Sequence, residues 1–343
     1  MGVKNGSFIK ACWGKNDGRI PIWIMRQAGR YLPEYRAVRE RVSFLELCKT
    51  PQLIAEVVRQ PIARFDLDAA ILFSDILTLL EPMGVGVAFP EGGPQLDFTL
   101  RQPDDVKRLR NFDVTKEFSF VADGIRLIKQ TLPDTPVIGF SGSPFTLACY
   151  LIEGKGSKSF DKAKQFLQQY PSAAEELIDF LSDVIARYLK MQIEAGADAV
   201  QLFSSWDGIL SFEDFSQYTA RPVNAIFGQL KRSGVPRILF VNNISPYLEI
   251  IKDIDCDVVG VDYRVCLNRV ATALPGKAVQ GNLDPTVLFG SREHVIERTL
   301  QILDNLDKHD NVIFNLGHGI LPETPLESVE AMVETVHGYE REQ

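Results

Sequence analysis

The sequence predicts an α/β protein built as a single (β/α)₈ barrel, the TIM-barrel fold. Short apolar runs rich in Val, Ile, Leu and Phe recur along the chain, and segments with helical periodicity separate them. Continuous rather than alternating apolar strands between helices indicate a parallel sheet whose outer face is covered. Eight such units close into a barrel. The runs are residues 22–25, 69–73, 137–140, 199–203, 237–241, 258–262, 277–280 and 312–316.

Two segments illustrate the predicted helices, and a third interrupts the pattern. Residues 51–65 follow Thr50, a typical N-cap, and begin with proline. Residues 172–196 repeat the helical pattern and end at Gly196, a typical helix stop. Residues 84–98 alternate instead around two glycines and a proline, which predicts a small hairpin inserted after strand 2. The apolar face of the first helix consists of Leu53, Ile54, Val57 and Val58.

The length suits one large barrel. The chain has 343 residues, 45% of them hydrophobic, and we assign residues 1–343 to a single catalytic domain. The alternative, an open doubly wound sheet, usually carries a glycine-rich phosphate loop after its first strand. The stretches GVGVAF and GKGSKS lack the last glycine of GxGxxG, and neither GxxxxGKS nor GxxxxGKT occurs. The barrel is therefore favoured.

The charge excludes some classes of partner. The formal net charge is −8 and the basic residues form no cluster, which disfavours nucleic acid and anionic membranes. The cysteines are odd in number and scattered, as in reduced cytosolic proteins. The sequence shows no apolar stretch of signal-peptide length at its start and no membrane-spanning run. We therefore expect a cytoplasmic protein that acts on a small molecule.

The residues that end each apolar run are the candidate site, because catalytic residues of such barrels lie at the carboxyl ends of several strands. The first run ends in Arg26 and Arg30, with Gly29 between them. Guanidinium groups match carboxylate or phosphate, so the pair predicts an anion site. Pairing with Glu34 or another carboxylate is the structural alternative. The other runs supply Asp75, Ser141, Ser143, Tyr150, Ser205, Asp207, Asn242, Asp262, Asn282, Asp284 and His318.

Several of these residues have two interpretations. Asp75 either acts at the site or caps the helix that follows, and the spacing favours neither. Tyr150 lies in an apolar helix, which is typical of the core. His318 between two glycines indicates a backbone that approaches another group closely. Ser205 lacks the GxSxG pattern of a nucleophile.

The sequence offers few residues at spacings typical of a metal site. The histidines form no HExxH motif, and no two cysteines have CxxC spacing. We expect neither a metal nor an organic cofactor. The residues alone thus predict a cofactor-free barrel in which arginines and one aspartate face an anionic small molecule. The histidines are His294, His309, His318 and His337.

Several stretches resemble the uroporphyrinogen decarboxylase family. Residues 21–36, PIWIMRQAGRYLPEYR, and 139–154, GFSGSPFTLACYLIEG, are similar to its two signatures. ILFSDIL, QGNLDP and FNLGHGI are similar to further characteristic stretches, so the resemblance spans residues 21 to about 322. It implies a homodimeric lyase of haem and tetrapyrrole biosynthesis. Such an enzyme removes carbon dioxide from the four acetate side chains of uroporphyrinogen III and forms coproporphyrinogen III.

The resemblance also implies a set of site residues and no cofactor. Protonation of a pyrrole carbon makes the substrate its own electron sink, and Asp75 accepts hydrogen bonds from the pyrrole N–H groups and stabilises the cation. Arg26 and Arg30 hold carboxylates; the proton donor stays open between an arginine, a water molecule and a substrate carboxyl. Asp75, Arg26 and Arg30 are the implied catalytic residues. The implied substrate-binding residues are Arg26, Gln27, Ala28, Gly29, Arg30, Phe44, Asp75, Tyr150, Ser205 and His318.

One position departs from the family pattern. Ser205 is often followed there by His-Ala or Trp-Ala, whereas this chain has Trp206 and Asp207. A carboxylate pointing at an anionic substrate is unfavourable. The sequence therefore predicts either that Asp207 faces away from the substrate or that this loop is placed differently.

Two other functions stay open. A corrinoid- or zinc-dependent methyltransferase of a related barrel family needs a zinc set of His and Cys, and Cys256 and Cys266 have no histidine close in sequence. A non-catalytic tetrapyrrole-binding protein needs the arginines but no aspartate under the ring.

Overall fold

The strands of this protein lie in two sheets in a computed structural model that describes residues 6–16, 18–307 and 311–340. Of the residues discussed above, His309 and the first five at the N-terminus lie outside these ranges. The strands are β1 (Ala70–Ile71), β2 (Val87–Ala88), β3 (Gln95–Leu96), β4 (Val137–Gly142), β5 (Ala199–Ser204), β6 (Arg237–Val241), β7 (Val258–Val261), β8 (Ala278–Leu283) and β9 (Val312–Leu316).

The larger sheet is curled and parallel, with seven strands in the order β1, β4, β5, β6, β7, β8, β9. Each predicted apolar run from residue 69 onward overlaps one of these strands, so the α/β prediction with a parallel sheet is confirmed. Because the strands are parallel, their carboxyl ends share one edge of the sheet. The predicted site residues fall at this edge.

The first predicted run, residues 22–25, forms only a single bridge, between Ile22 and Phe314. Side-chain oxygens accept hydrogen bonds from the backbone N–H groups that would otherwise pair with a neighbouring strand. Asp68 Oδ2 accepts from Ile22 N at 2.9 Å, and Gln27 Oε1 accepts from Ile24 N at 3.1 Å. Asn315 Oδ1 accepts from Met25 N at 3.0 Å. Apolar composition identified the buried segment, but these side-chain acceptors prevent a regular strand.

Helices connect the strands, and the two predicted ones are confirmed. They are residues Pro51–Phe65 and Pro171–Glu194. Thr50 stands at the N-cap, although its hydroxyl donates to Glu46 O at 2.8 Å instead of capping. The helices are α1 (Ser7–Cys12), α2 (Pro33–Arg39), α3 (Phe44–Lys49), α4 (Pro51–Phe65), α5 (Pro103–Val106), α6 (Val114–Glu117), α7 (Ser119–Thr131), α8 (Pro144–Glu153), α9 (Asp161–Gln169), α10 (Pro171–Glu194), α11 (Phe212–Phe215), α12 (Arg221–Leu230), α13 (Leu248–Lys252), α14 (Leu267–Ala273), α15 (Arg292–Asp304) and α16 (Leu326–His337). Short 3₁₀ turns occupy Ile76–Leu80, Asp207–Ile209, Lys231–Ser233, Ser245–Tyr247 and Pro285–Phe289, and a π-helical turn Ser216–Ala220.

None of the helices in the described ranges combines the length and the apolar character that a membrane span requires.

The smaller sheet lies between β1 and β4 in the sequence. Strands β2 and β3 pair antiparallel, with Val87 opposite Leu96. Gly92 and Gly93 between them have φ of +102° and +110°, which L-residues other than glycine rarely adopt. Leu96 N donates to Gly154 O at 2.8 Å, so this segment docks against the end of α8.

Buried side chains fill the concave side of the large sheet. Trp23 Nε1 donates to Gln280 Oε1 at 2.8 Å, and Gln280 Nε2 donates to Gln201 Oε1 at 3.0 Å. Below this polar row, Phe8 of α1 belongs to the same buried cluster as Trp23 and Ile313. The interior is therefore packed, and in folds of this kind a ligand binds at the carboxyl edge of the strands.

Candidate active site

Gln27 holds the turn that places Arg26 at the carboxyl edge. The Arg26 backbone has φ +65°, the left-handed region, which costs a non-glycine residue about 1 kcal/mol or more. The buried Gln27 amide stabilises this turn: Oε1 accepts from Ile24 N, and Nε2 donates to Ala69 O at 3.1 Å. Gln27 is 1% exposed, so it orients the turn from inside the protein, whereas the neighbouring Arg26 is exposed.

The glycines on either side of His318 allow two close approaches. A Cβ on Gly319 would lie 2.8 Å from Arg26 Nε, so this glycine gives space to the arginine side chain. A Cβ on Gly317 would lie 2.8 Å from Tyr263 Cα, so the loop after β7 packs directly on this backbone. Arg26, His318 and Tyr263 thus lie in one contiguous layer. The predicted close approach of the backbone at these glycines is present.

Arg30 is exposed, and Glu34 does not neutralise it. Glu34 forms its ion pair with Arg64 instead. Within the described chain, the guanidinium groups of Arg26 and Arg30 make no hydrogen bond or ion pair, so the structural alternative of pairing with Glu34 is wrong. A Cβ on Gly29 would lie 2.8 Å from Arg26 O, which explains the glycine between the arginines, and Ala28 beside it is half-buried.

Asp75 caps a helical turn and also faces the site. Its Oδ1 accepts from Leu77 N at 2.9 Å, at the start of the 3₁₀ turn Ile76–Leu80. Burial raises the pKa of the Asp75 carboxyl, and the Leu77 hydrogen bond and the charge of Arg26 oppose the rise. Asp75 is therefore compatible with both interpretations, as a helix cap and as a residue of the site. Its Oδ1 caps the 3₁₀ turn, and its carboxylate lies within the field of Arg26.

Tyr150 lies on α8 inside an aromatic group at the same edge. Its ring centroid is 6.3 Å from Trp206 and 6.5 Å from Phe160, and those two rings are 4.7 Å apart. Burial raises the pKa of the Tyr150 hydroxyl; the Trp206 indole and the charge of Arg26 lower it, while the charge of Asp75 raises it. Tyr150 is thus both largely buried, as its apolar helix predicts, and electrostatically in contact with the candidate site.

His318 and Phe44 lie at the border of the group formed by Arg26, Asp75 and Tyr150. Burial lowers the pKa of His318, and the charge of Arg26 lowers it further. Phe44 begins α3 and lies 6.0 Å from Phe73 and 4.7 Å from Phe89, measured between ring centroids. The structure therefore brings Arg26, Asp75, Tyr150 and His318 together, whereas Phe44 links this edge to the β2–β3 segment.

Asp207 faces away from the edge. It is 0% exposed, and its oxygens accept hydrogen bonds from Ser143 Oγ at 2.9 Å, Thr146 Oγ1 at 2.7 Å and Thr219 Oγ1 at 2.9 Å. Burial raises the pKa of the Asp207 carboxyl, and the hydroxyl groups lower it. Of the two predicted outcomes, the structure shows the first: Asp207 faces away from the edge, into the protein interior. Ser205 is half-buried, and its carbonyl accepts from Asn242 Nδ2 at 3.2 Å.

Other residues at the strand ends have structural partners. Ser143 accepts from Thr146 N and caps α8. Asp284 accepts from Thr286 N and caps the turn Pro285–Phe289. Asn282 Nδ2 donates to Asp262 O and Val265 O, which fixes the loop after β7. Ser141 is buried, and its Oγ donates to the backbone carbonyl oxygen of the next residue, Gly142, at 3.1 Å.

Sequence reasoning missed two residues at this edge. Trp206 packs between Tyr150 and Phe160, and Arg264 binds Asn242 through Nη1 at 2.9 Å. A signal existed for Arg264, since it follows Asp262 by two residues and Asp262 ends an apolar run. In residues 6–16, 18–307 and 311–340, no group of three His, Cys, Asp or Glu side chains could hold a metal ion.

A parallel α/β sheet whose carboxyl edge brings the unpaired Arg26 near the Asp75 carboxylate is typical of one class of protein: enzymes that bind a small molecule at that edge. Residues 3–339 match the family described as Uroporphyrinogen decarboxylase (URO-D). The chain belongs to this family.

Two relatives agree with this assignment, and a solved structure has the same fold. The chain is 45% identical to "Uroporphyrinogen decarboxylase" of Carboxydothermus hydrogenoformans over 336 residues, 97% of this chain and 96% of the relative. It is 45% identical to the protein of the same name from Pelobacter propionicus over 339 residues, 98% of this chain and 99% of the relative. Among solved structures, a methyltransferase from Methanosarcina mazei superposes with a TM-score of 0.79 at 19% identity, covering 96% of this chain and 97% of that one. That likeness shows a shared fold.

Proposed function

We propose that the protein is a uroporphyrinogen decarboxylase that removes the carboxyl groups of the four acetate side chains of uroporphyrinogen III. Family membership supplies the reaction, and one observation carries it to this site: at the carboxyl edge of the sheet Asp75 lies in the field of Arg26, and the Asp75 charge in turn raises the pKa of Tyr150. A carboxylate there suits a cationic intermediate, and free arginines suit a polycarboxylate.

Asp75 stabilises the charge that develops on the ring. A proton adds to the pyrrole carbon next to the one that bears the acetate, and the ring becomes cationic. The bond between the acetate methylene and its carboxyl then breaks, its electrons neutralise the cation, and carbon dioxide leaves. A second proton converts the remaining methylene to methyl, and the ring then loses the first proton, which restores the neutral pyrrole. The pyrrole N–H groups donate to Asp75, whose Oδ2 accepts no hydrogen bond from the described residues.

Arg26 and Arg30 bind substrate carboxylates. Their guanidinium groups have no protein partner in the described chain, so the substrate displaces only water from them. The net charge of −8 does not prevent this, because at physiological salt screening acts beyond roughly 8 Å and contacts at the site are shorter. Phe44, Tyr150, Ser205 and His318 line the same site, while Gln27, Ala28 and Gly29 shape the turn between the arginines.

We further propose that the sheet closes into an eight-stranded barrel within a single domain, residues 1–343. Phe314 N donates to Pro21 O at 2.8 Å, and Asp68 N donates to Ile22 O at 2.9 Å, so residues 21–24 bridge β9 and the start of β1. In this arrangement the β2–β3 segment is the hairpin inserted after strand 2. By analogy with the family we also propose a homodimer, which sedimentation velocity tests, and on the free thiols a cytoplasmic location.

The decisive experiment is an anaerobic, reducing assay with uroporphyrinogen III. We expect carbon dioxide release and formation of coproporphyrinogen III, unchanged after exhaustive dialysis against a chelator. Activity that returns only with zinc or cobalamin would favour the methyltransferase alternative. Tight binding of the tetrapyrrole without turnover would favour a non-catalytic binding protein.

A further inference from the structure

Arg264 is a third arginine at the carboxyl edge, and protein contacts fix its orientation. Its Nη1 donates to Asn242 Oδ1 at 2.9 Å and to Asp262 Oδ1 at 3.2 Å, and its guanidinium lies 4.5 Å from the Tyr263 ring centroid. The partner Asp262 is fully buried and also accepts from Ile244 N at 2.9 Å. An arginine held in this way loses little freedom when it binds a ligand.

Two chains of contact connect Arg264 with the candidate site. On one side, Asn242 joins it to the Ser205 carbonyl. On the other side, Tyr263 packs on Gly317, the neighbour of His318, and the charges of Arg264 and Arg26 both lower the pKa of His318. Arg264 therefore extends the row formed by Arg26 and His318 along the same edge.

Part of the Arg264 guanidinium is free to bind. In the described chain, Nε and Nη2 have no hydrogen-bond partner, and the side chain is 47% exposed. Arg264 also lines a cleft of about 340 Å³ together with Asn282, Asp284 and Arg298, so the side chain borders open space. Asp284 is the acidic residue of that cleft, and its Oδ1 is occupied by Thr286.

We propose that Arg264 binds a peripheral carboxylate of the substrate. The inference rests on the proposed function, because it assumes a polycarboxylate at the edge formed by Arg26 and His318. Arg264 lies outside the group around Asp75, so its contact is the same in the ground state and the transition state. Interactions of this kind change KM and leave kcat nearly constant.

Kinetics of four proteins test the proposal: the wild type, Arg264→Gln, Arg264→Lys and Arg269→Gln. We expect Arg264→Gln to raise KM by roughly three- to tenfold with kcat within about twofold, since one charge-assisted hydrogen bond is lost at a partly exposed position. Arg264→Lys should recover part of the loss, because it keeps the charge but not the planar fork. Arg269 is exposed on the adjacent helix α14, so Arg269→Gln, the matched charge control, should change neither constant.

Binding without turnover separates this inference from the proposed function. Calorimetric titration with uroporphyrin, the oxidised octacarboxylate, should show the same ranking of affinities. If the wild type fails to decarboxylate uroporphyrinogen, the proposed function is overturned, while weaker uroporphyrin binding by Arg264→Gln would still support the carboxylate contact. Equal KM and equal uroporphyrin affinity in the wild type and Arg264→Gln would overturn the inference.

Discussion

Thr146 joins the helix that carries Tyr150 to the loop after β5: its Oγ1 donates to Asp207 Oδ2 at 2.7 Å and accepts from Trp206 N at 3.2 Å. Asp207 extends the connection to the π-helical turn through Thr219. A buried carboxylate surrounded by hydroxyl donors thus fixes three segments relative to one another. These bonds hold the helix that carries Tyr150 and the loop that carries Trp206 in fixed relative positions.

We predict that Asp207→Ala destabilises the fold by about 3 kcal/mol, because several buried hydroxyl groups lose their acceptor. Asp207→Asn keeps the shape and one acceptor oxygen, and the hydroxyls can turn to accept from its amide, so the loss should be about 1 kcal/mol. Urea unfolding measures both. At temperatures where Asp207→Asn is folded, kcat should exceed that of Asp207→Ala. Equal stability of the two variants would show that the hydroxyl cage does not hold these segments together.

Asp75→Asn separates charge from capping. Asn caps helices about as well as Asp, so the bond to Leu77 N should survive. The pKa of Asp75 is raised in the fold, so its ionised form destabilises the fold at neutral pH. Its contribution to stability is present below the unfolded pKa and is lost as pH rises through the folded pKa. We therefore expect an unchanged or higher free energy of unfolding at pH 7.

The same substitution should lower kcat by about 10²- to 10³-fold, the usual effect of removing one preorganised electrostatic partner. Asp75→Glu keeps the charge and serves as the control, with partial activity expected if the pocket accommodates one more methylene. Near-normal turnover of Asp75→Asn would mean that Asp75 acts only as a helix cap.

Gly319→Ala tests whether the space beside His318 serves Arg26. The added Cβ would lie 2.8 Å from Arg26 Nε, so the arginine must move away from its place at the edge. We expect kcat/KM to fall about tenfold or more while the melting temperature changes little, because a misplaced guanidinium loses a charge-assisted bond. Gly228→Ala on α12 meets no atom within 4 Å and is the matched control. If both variants behave alike, the glycine is not required for Arg26.

Arg30→Ala tests the second arginine of the first signature. Arg30 is exposed and its side chain has no partner in the described ranges, so its removal should leave the melting temperature unchanged. We expect substrate and product affinity to fall about tenfold or more. A large drop in melting temperature with intact affinity would instead identify a structural arginine.

The fold was largely readable from the sequence because a parallel sheet needs continuous apolar runs. Residues 258–262 and 312–316, for example, overlap β7 and β9 within one residue at each end. The first run forms a bridge to β9 but no regular strand, because Asp68, Gln27 and Asn315 accept hydrogen bonds from its backbone N–H groups, which its composition could not show.

The sequence predicted which residues lie near the candidate site, but not the directions of their side chains. Strand ends identified Asp75 and His318, but the direction of a side chain depends on partners from distant segments. Asp207 faces inward because Ser143 and Thr219, far apart in sequence, both supply hydroxyl donors. No local pattern contains that information, and the same holds for the packing of Trp206 on Phe160.

His318 should give the stability of the protein a distinct pH dependence. Burial, Arg26 and Arg264 all lower its pKa in the fold, so folding favours the neutral imidazole. The stability that this provides is fully present above the unfolded pKa of about 6.5 and is lost as pH falls through the folded pKa. His318→Gln cannot titrate, so its free energy of unfolding should decline less than that of the wild type between pH 7.5 and pH 5. Denaturant unfolding at both pH values measures the difference, with His294→Gln, an exposed histidine, as control.

Bound carboxylates should raise the pKa of His318 again, because negative charge beside the imidazole favours its protonated form. Calorimetric titration with uroporphyrin near pH 6 in buffers of different ionisation enthalpy should therefore show proton uptake by the wild type, and less by His318→Gln. Equal uptake by both proteins would mean that His318 does not lie against the bound carboxylates.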